Sequence, residues 1–140
     1  DDFNEPITDA ARSILDGHIV LSREIASQNR YPAVDILRSN SRLMPYLIDQ
    51  AHKDAAGEIR KLISTYESME DLINIGAYVP GSQEEVDLAI EKRSQILEFL
   101  QQEPQQRYSW EETRSLTNKL LTGSLPVSRP GERENNDPEV

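Results

Sequence analysis

Leu15-Asp16-Gly17-His18-Ile19-Val20-Leu21-Ser22-Arg23 is the stretch whose reading decides the fold. Asp16-Gly17 punctuates the chain. His18-Ile19-Val20-Leu21 is then a short apolar run containing β-branched residues, the pattern of a buried strand. Ser22 follows with an oxygen able to cap a helix running through Ala26, and Glu24 falls in its electropositive first turn. Strand, cap and helix make one unit of an α/β sheet. Upstream, Thr8 is placed to cap a short helix over residues 9–15. Downstream, Tyr31 to Pro45 lacks clean periodicity, and its two prolines disfavour helix just before them, so it is expected to be an ordered loop.

From residue 47 onward the pattern turns helical. Ile48, Ala51, Ala55, Ile59, Leu62, Tyr66, Met69 and Ile73 recur every three or four positions, which makes one apolar stripe. Gly76 is the expected stop, and Tyr78-Val79-Pro80-Gly81 a turn. Ser82 with Glu85 three residues later predicts a capping box. The following helix puts Val86, Ala89, Ile90, Arg93, Ile96, Leu97 and Leu100 on one side and ends before Pro104. Ser109 caps a last helix, with Glu111 and Glu112 at its positive end and Trp110, Thr113, Leu116, Thr117, Leu120 and Leu121 inward. Residues 122–140, rich in Gly, Pro, Asn and charge, are expected to be a disordered tail. The fold class is α+β and mostly α.

Composition narrows the function. The 140 residues hold 25 acids against 15 bases, a formal charge of -10, which argues against a basic footprint for nucleic acid or anionic lipid. There is no cysteine, hence no thiol nucleophile, disulfide or cysteine zinc site. Two histidines leave little material for a metal site, and none is predicted. His18, in an apolar run, is expected to be a hydrogen-bonded core histidine; His52, on an acidic helix, to face solvent. No apolar run approaches the ~20 residues that cross a bilayer, and no signal-peptide pattern is present, so the expected compartment is the cytoplasm. The chain opens without Met in an acidic, turn-like run and reads as the carboxy-terminal part of something longer. Asp1, Asp2 and Glu5 form an acidic cluster, read as a polar turn rather than a metal site.

No phosphate loop and no Gly-rich turn is present. The segment Tyr31-Pro32-Ala33-Val34-Asp35-Ile36-Leu37-Arg38-Ser39-Asn40-Ser41-Arg42 stands out instead. It sets an aromatic, small polar residues and two arginines on an irregular stretch after an α/β unit, where ligand sites collect. Arginine is a planar, permanently charged fork suited to phosphate. Arg38 and Arg42 are therefore candidates for a phosphate contact, with a surface ion pair as the plain alternative.

The segments Asp1-Asp2-Phe3-Asn4-Glu5-Pro6-Ile7, Leu15–Arg23, Tyr31-Pro32-Ala33-Val34-Asp35, Ser39-Asn40-Ser41-Arg42 and Asp71–Tyr78 together resemble the carboxy-terminal end of the flagellar export ATPases. The injectisome ATPases of type III secretion are similar here, and both belong to the rotary ATPase superfamily. The likeness covers about residues 1–121. It implies that residues 1–45 end a P-loop α/β nucleotide-binding domain and that residues 46–121 form the helical carboxy-terminal domain.

By this resemblance Arg42 is an arginine finger that acts in trans on ATP held by the neighbouring subunit of a hexameric ring. Tyr31 packs near the adenine. The aromatic that completes the adenine pocket in related catalytic subunits has no counterpart, since Phe99-Leu100 is followed by Gln101-Gln102-Glu103-Pro104. The turn 78–87 corresponds to the rim that meets a central stalk, where Glu84, Glu85 and Asp87 are the contact candidates. ATP and Mg²⁺ are the implied ligands, held mainly by the upstream part of the family. Implied partners are other copies of the chain, the stalk and export chaperone–substrate complexes, at the cytoplasmic face of the inner membrane beside the export gate. Alone, the segment is expected to be inactive. An injectisome ATPase is the alternative within the class, and a non-enzymatic helical interaction module the alternative outside it.

Overall fold

A two-stranded antiparallel ribbon leans on three packed helices in the computed structural model, which describes residues 6–123. Helix α1, Pro6–Ile14, leads into strand β1, Gly17–Leu21. Helix α2, Arg23–Ser27, starts as expected on Ser22, whose side chain accepts from the Ile25 N–H. The expected acidic cluster at residues 1, 2 and 5, and the expected tail from residue 124 on, lie outside the described residues.

The segment expected to be a loop is instead strand β2, Val34–Ser41. It pairs with β1 through Gly17↔Ser41 and His18↔Asn40 at one end and Val20↔Asp35 and Leu21↔Val34 at the other. Between these pairs, residues 36–39 of β2 oppose Ile19 alone, so the strand carries a wide bulge. The bulge is what hides the strand from a period-of-two reading. Its apolar residues, Ile36 and Leu37, pack on the helical core instead of alternating across the ribbon.

Gly17 has a packing reason to be glycine. A Cβ there would sit 2.8 Å from the Asn40 carbonyl oxygen, inside contact distance. Ser41 accepts from the Met44 N–H and so opens a single helical turn, α3, Met44–Leu47.

Helix α4, Gln50–Asn74, runs unbroken for 25 residues, about 37 Å. Asp49 caps it, accepting from the His52 N–H, and Gly76 with φ +71 lies just past its end as expected. Helices α5, Glu84–Leu100, and α6, Trp110–Thr122, pack against it. The shared core is Ile59, Leu62, Ile63, Ala89, Ile96 and Leu120. Thr122 is still helical, and Gly123 ends α6 in the left-handed conformation.

Four expectations about these helices need correction. Trp110, expected on the inward face of α6, is 57% exposed. His52 is buried and stacks on Trp110, while Ala51 is exposed, so the inward stripe of α4 is turned by one residue at its start. Ser82 forms no capping box: Gln83 takes the cap position without a side-chain bond, and Glu85 reaches Lys61 instead. Lys92, outside the predicted inward face of α5, is buried. Its ammonium lies against Gly123, at the negative end of the α6 dipole, which offsets the cost of enclosing a charge there. The predicted cap at Ser109 is present as a full capping box with Glu112.

Candidate nucleotide-contact site

Arg42 leaves the end of β2 with its side chain exposed. Its backbone N–H donates to the Asp16 carbonyl at 2.7 Å, continuing the β1–β2 pairing by one residue. Its guanidinium Nη2 donates to the Ser13 carbonyl at 3.2 Å, in the last turn of α1. Among the described residues no carboxylate pairs with it. A neutral carbonyl aims the guanidinium and leaves its charge uncancelled, the state that an anionic ligand would require. Arg38, the other candidate, lies within the bulge with an exposed side chain.

The backbone that carries Arg42 is held by side chains. The carbonyls of the bulge cannot join the ladder, and each needs a partner. Arg60 of α4 supplies three: Nη1 donates to Ile36 O at 2.6 Å and to Ser39 O at 3.4 Å, and Nη2 to Leu37 O at 3.1 Å. His18 Nε2 lies 3.0 Å from Arg38 O, which makes Nε2 the protonated nitrogen, since a carbonyl only accepts. His18 is thus hydrogen-bonded as expected, but half-buried. Ser39 Oγ accepts from the Val20 N–H at 3.0 Å, replacing the ladder carbonyl that the bulge displaces. Asp35 Oδ1 accepts from the Arg38 N–H at 2.9 Å.

Tyr31 lies at the other end of β2, on the turn after α2, and is 55% exposed. Its carbonyl accepts from the Gln102 N–H at 3.0 Å, so the segment after Phe99-Leu100 does reach the Tyr31 turn. What it brings there is the glutamine pair and no aromatic ring.

At the far end of the helical domain, Glu84, Glu85 and Asp87 all fall in the first turn of α5, where the helix dipole favours them. Two of them are engaged internally. Glu85 Oε1 is 2.8 Å from Lys61 Nζ and raises the Lys61 pKa through that bond. Asp87 accepts from the Tyr78 hydroxyl at 2.9 Å and from the Gly81 N–H at 2.8 Å. Glu84 is exposed.

No group of three or more His, Asp or Glu side chains converges to hold a metal among the described residues. No helix among them is long and apolar enough to cross a membrane.

Both the segment that carries the ribbon and the helical domain have known counterparts. Residues 1–41 match the nucleotide-binding domain of the ATP synthase alpha/beta family, and residues 48–117 match the T3SS EscN ATPase C-terminal domain. The parts in this order define a class: the end of a rotary-type nucleotide-binding domain joined to a helical domain. More particularly, the chain belongs to the family of flagellum-specific ATP synthases and type III secretion ATPases.

It is 53% identical over 102 residues to the flagellum-specific ATP synthase of Bacillus subtilis, covering 73% of this chain and 23% of that protein. The assembled ATPase EscN from the type III secretion system of enteropathogenic E. coli superimposes with a TM-score of 0.83 at 46% identity, over 86% of this chain and 29% of EscN. EscN in complex with its central stalk EscO gives 0.79 at 46% identity, over 84% and 29%. The chain thus spans about a quarter of the length of the Bacillus relative.

Arg60 is the contributor that the sequence does not reveal. It sits on the outer side of an amphipathic stripe like any solvated arginine, and its partners are carbonyls more than twenty residues away.

Proposed function

We propose that this chain is the carboxy-terminal part of a ring-forming ATPase that powers flagellar type III protein export, and that Arg42 completes the ATP site of the neighbouring subunit. The observation that carries the reading is the state of Arg42: exposed, aimed by the Ser13 and Asp16 carbonyls, and uncancelled by any carboxylate among the described residues. As the γ-phosphoryl transfers, charge spreads over its oxygens. A preorganised guanidinium stabilises that charge, commonly by ~10³ or more in rate. Tyr31 packs beside the adenine, with the Gln101–Gln102 pair on the adjoining turn. The domain boundary falls between residues 45 and 46, and the rim turn 78–87 meets a central stalk, chiefly through Glu84. The likeness to the stalk-bound form of EscN supports that last assignment.

The whole protein works in the cytoplasm, against the inner membrane, and receives export chaperone–substrate complexes. Mg²⁺ belongs to the part of the whole enzyme upstream of this segment. Alone, this segment binds no phosphate loop's worth of nucleotide and turns over no ATP. The resemblance to EscN favours an injectisome role as a second reading; the 53% identity to the Bacillus flagellar protein inclines us to the first.

The test is ATP turnover in the full-length ring. Arg42→Ala is expected to lower kcat by ~10³ while ATP binding changes less. Mixed with wild-type subunits, it should silence sites on adjacent wild-type protomers. Full turnover with every Arg42 replaced rejects the assignment.

A further inference from the structure

We infer that Arg60 is a positioning residue for Arg42: by gripping the bulge of β2 it fixes the register in which the end of that strand meets β1. The inference rests on the arginine-finger reading above.

The bulge sets residues 36–39 against Ile19 alone. The ladder by itself does not fix how the surplus residues are distributed, because Ile19 alone faces four residues of β2. Surplus residues in such a ribbon can be redistributed. A slip of one residue carries the strand ~3.3 Å along its partner and turns each side chain to the opposite face. Arg42 follows the bulge by only two paired residues, Asn40 opposite His18 and Ser41 opposite Gly17. Any slip at the bulge therefore arrives undiminished at the guanidinium.

Arg60 opposes that slip. Its two terminal nitrogens hold the carbonyls of Ile36, Leu37 and Ser39 at 2.6, 3.1 and 3.4 Å, so both edges of the surplus segment are tied to one rigid fork on α4. The planar geometry matters, because a lysine ammonium carries three donors on a point and cannot spread across the same span. The side chains of Ile36 and Leu37 seat in the helical core beside it, which gives the fork a fixed base. Arg60 thus makes the aim of Arg42 depend on where the helical domain stands.

The experiment is steady-state ATP hydrolysis by full-length rings carrying Arg60→Met, Arg60→Lys, Arg42→Ala and Arg60→Met with Arg42→Ala. Arg60→Met is expected to lower kcat by roughly tenfold or more with KM for ATP within about twofold, and Arg60→Lys to lie between it and wild type. In the Arg42→Ala background, Arg60→Met should cost nothing further, since the group it aims is gone. In mixed rings its defect should fall on the neighbouring site. Wild-type kcat for Arg60→Met overturns the inference and leaves the finger standing. A further loss in the double variant also overturns it, by showing a general structural role. An Arg42→Ala ring with full activity sinks the finger reading first. Should the Met variant fail to assemble, Arg60→Lys carries the comparison: a reduced kcat that vanishes as an effect in the Arg42→Ala background supports the inference, and an unreduced one overturns it.

Discussion

The His52 imidazole stacks on the Trp110 indole, with ring centroids 5.0 Å apart and planes 27° from parallel. The contact joins the first turn of α4 to the first turn of α6. Asp49, which caps α4, is ion-paired with Arg114 beside it, so two independent links pin the same pair of helix starts. His52→Ala is expected to cost about 1–2 kcal/mol, the stacking contribution plus lost packing. Trp110 is the only tryptophan, so a shift of its emission in the folded variant, together with a lowered urea midpoint, reads both effects at once.

Ser109→Ala removes the capping box of α6. The expected loss is about 1 kcal/mol, seen as an earlier chemical denaturation midpoint with unchanged slope. The partner carboxyl reports the same structure through pH. The Ser109 backbone N–H and then its hydroxyl hold the Glu112 carboxyl below the usual range. A lowered folded-state pKa means that its stabilisation is present above the unfolded pKa and is lost as pH falls through the folded one. Glu112→Gln should therefore destabilise at neutral pH and converge with wild type in acid.

Glu67 has the opposite sign. Burial first, and the nearby Asp35 second, raise its pKa, with Arg93 and Arg30 offsetting in part. The folded state then holds the proton more tightly than the unfolded chain, so stability falls as pH rises from the ordinary carboxylate range through the raised pKa. Glu67→Gln is expected to stabilise the chain at neutral pH, with the advantage closing on acidification. Thermal melts across that range check the direction.

Gly17→Ala should disturb the ribbon without touching the helical core. The added methyl meets the Asn40 carbonyl at 2.8 Å, and backbone cannot yield as a flexible side chain can. A cost of about 1–3 kcal/mol is expected, localised to the ribbon. Hydrogen exchange should speed up at the Arg42 N–H, bonded to Asp16 O, while amides of α4 stay protected.

Truncating the core gives the scale for these effects. Ile96 and Leu120 are 1% and 0% exposed, and either one changed to alanine is expected to cost about 2–5 kcal/mol by urea titration.

What the sequence discloses, and what it hides, divides by the range of the forces involved. The helices were readable because their signals are local: a stripe every three or four residues, Ser22 and Ser109 as caps, Gly76 as a stop. Strand β1 showed as an apolar run. Strand β2 did not, because its alternation is broken by residues whose carbonyls are satisfied from Arg60 and His18, each some twenty residues distant. His52 looked solvated because its apolar neighbour, Trp110, is supplied by another helix. Arg42 could be nominated by chemistry and resemblance, but the carbonyls that aim it, from Ser13 and Asp16, are backbone and leave no mark on the sequence.

The Asp87 carboxylate takes the Tyr78 hydroxyl with one oxygen and the Gly81 amide with the other, while the Tyr78 N–H is anchored on the Leu72 carbonyl at the end of α4. Most of its hydrogen bonds therefore close within one short span of chain, from Leu72 to Asp87. Closed into a macrocycle that includes Leu72, such a span has less ordering left to lose on docking. That makes the span from Leu72 to Asp87 a natural starting scaffold for a peptide that reproduces this turn.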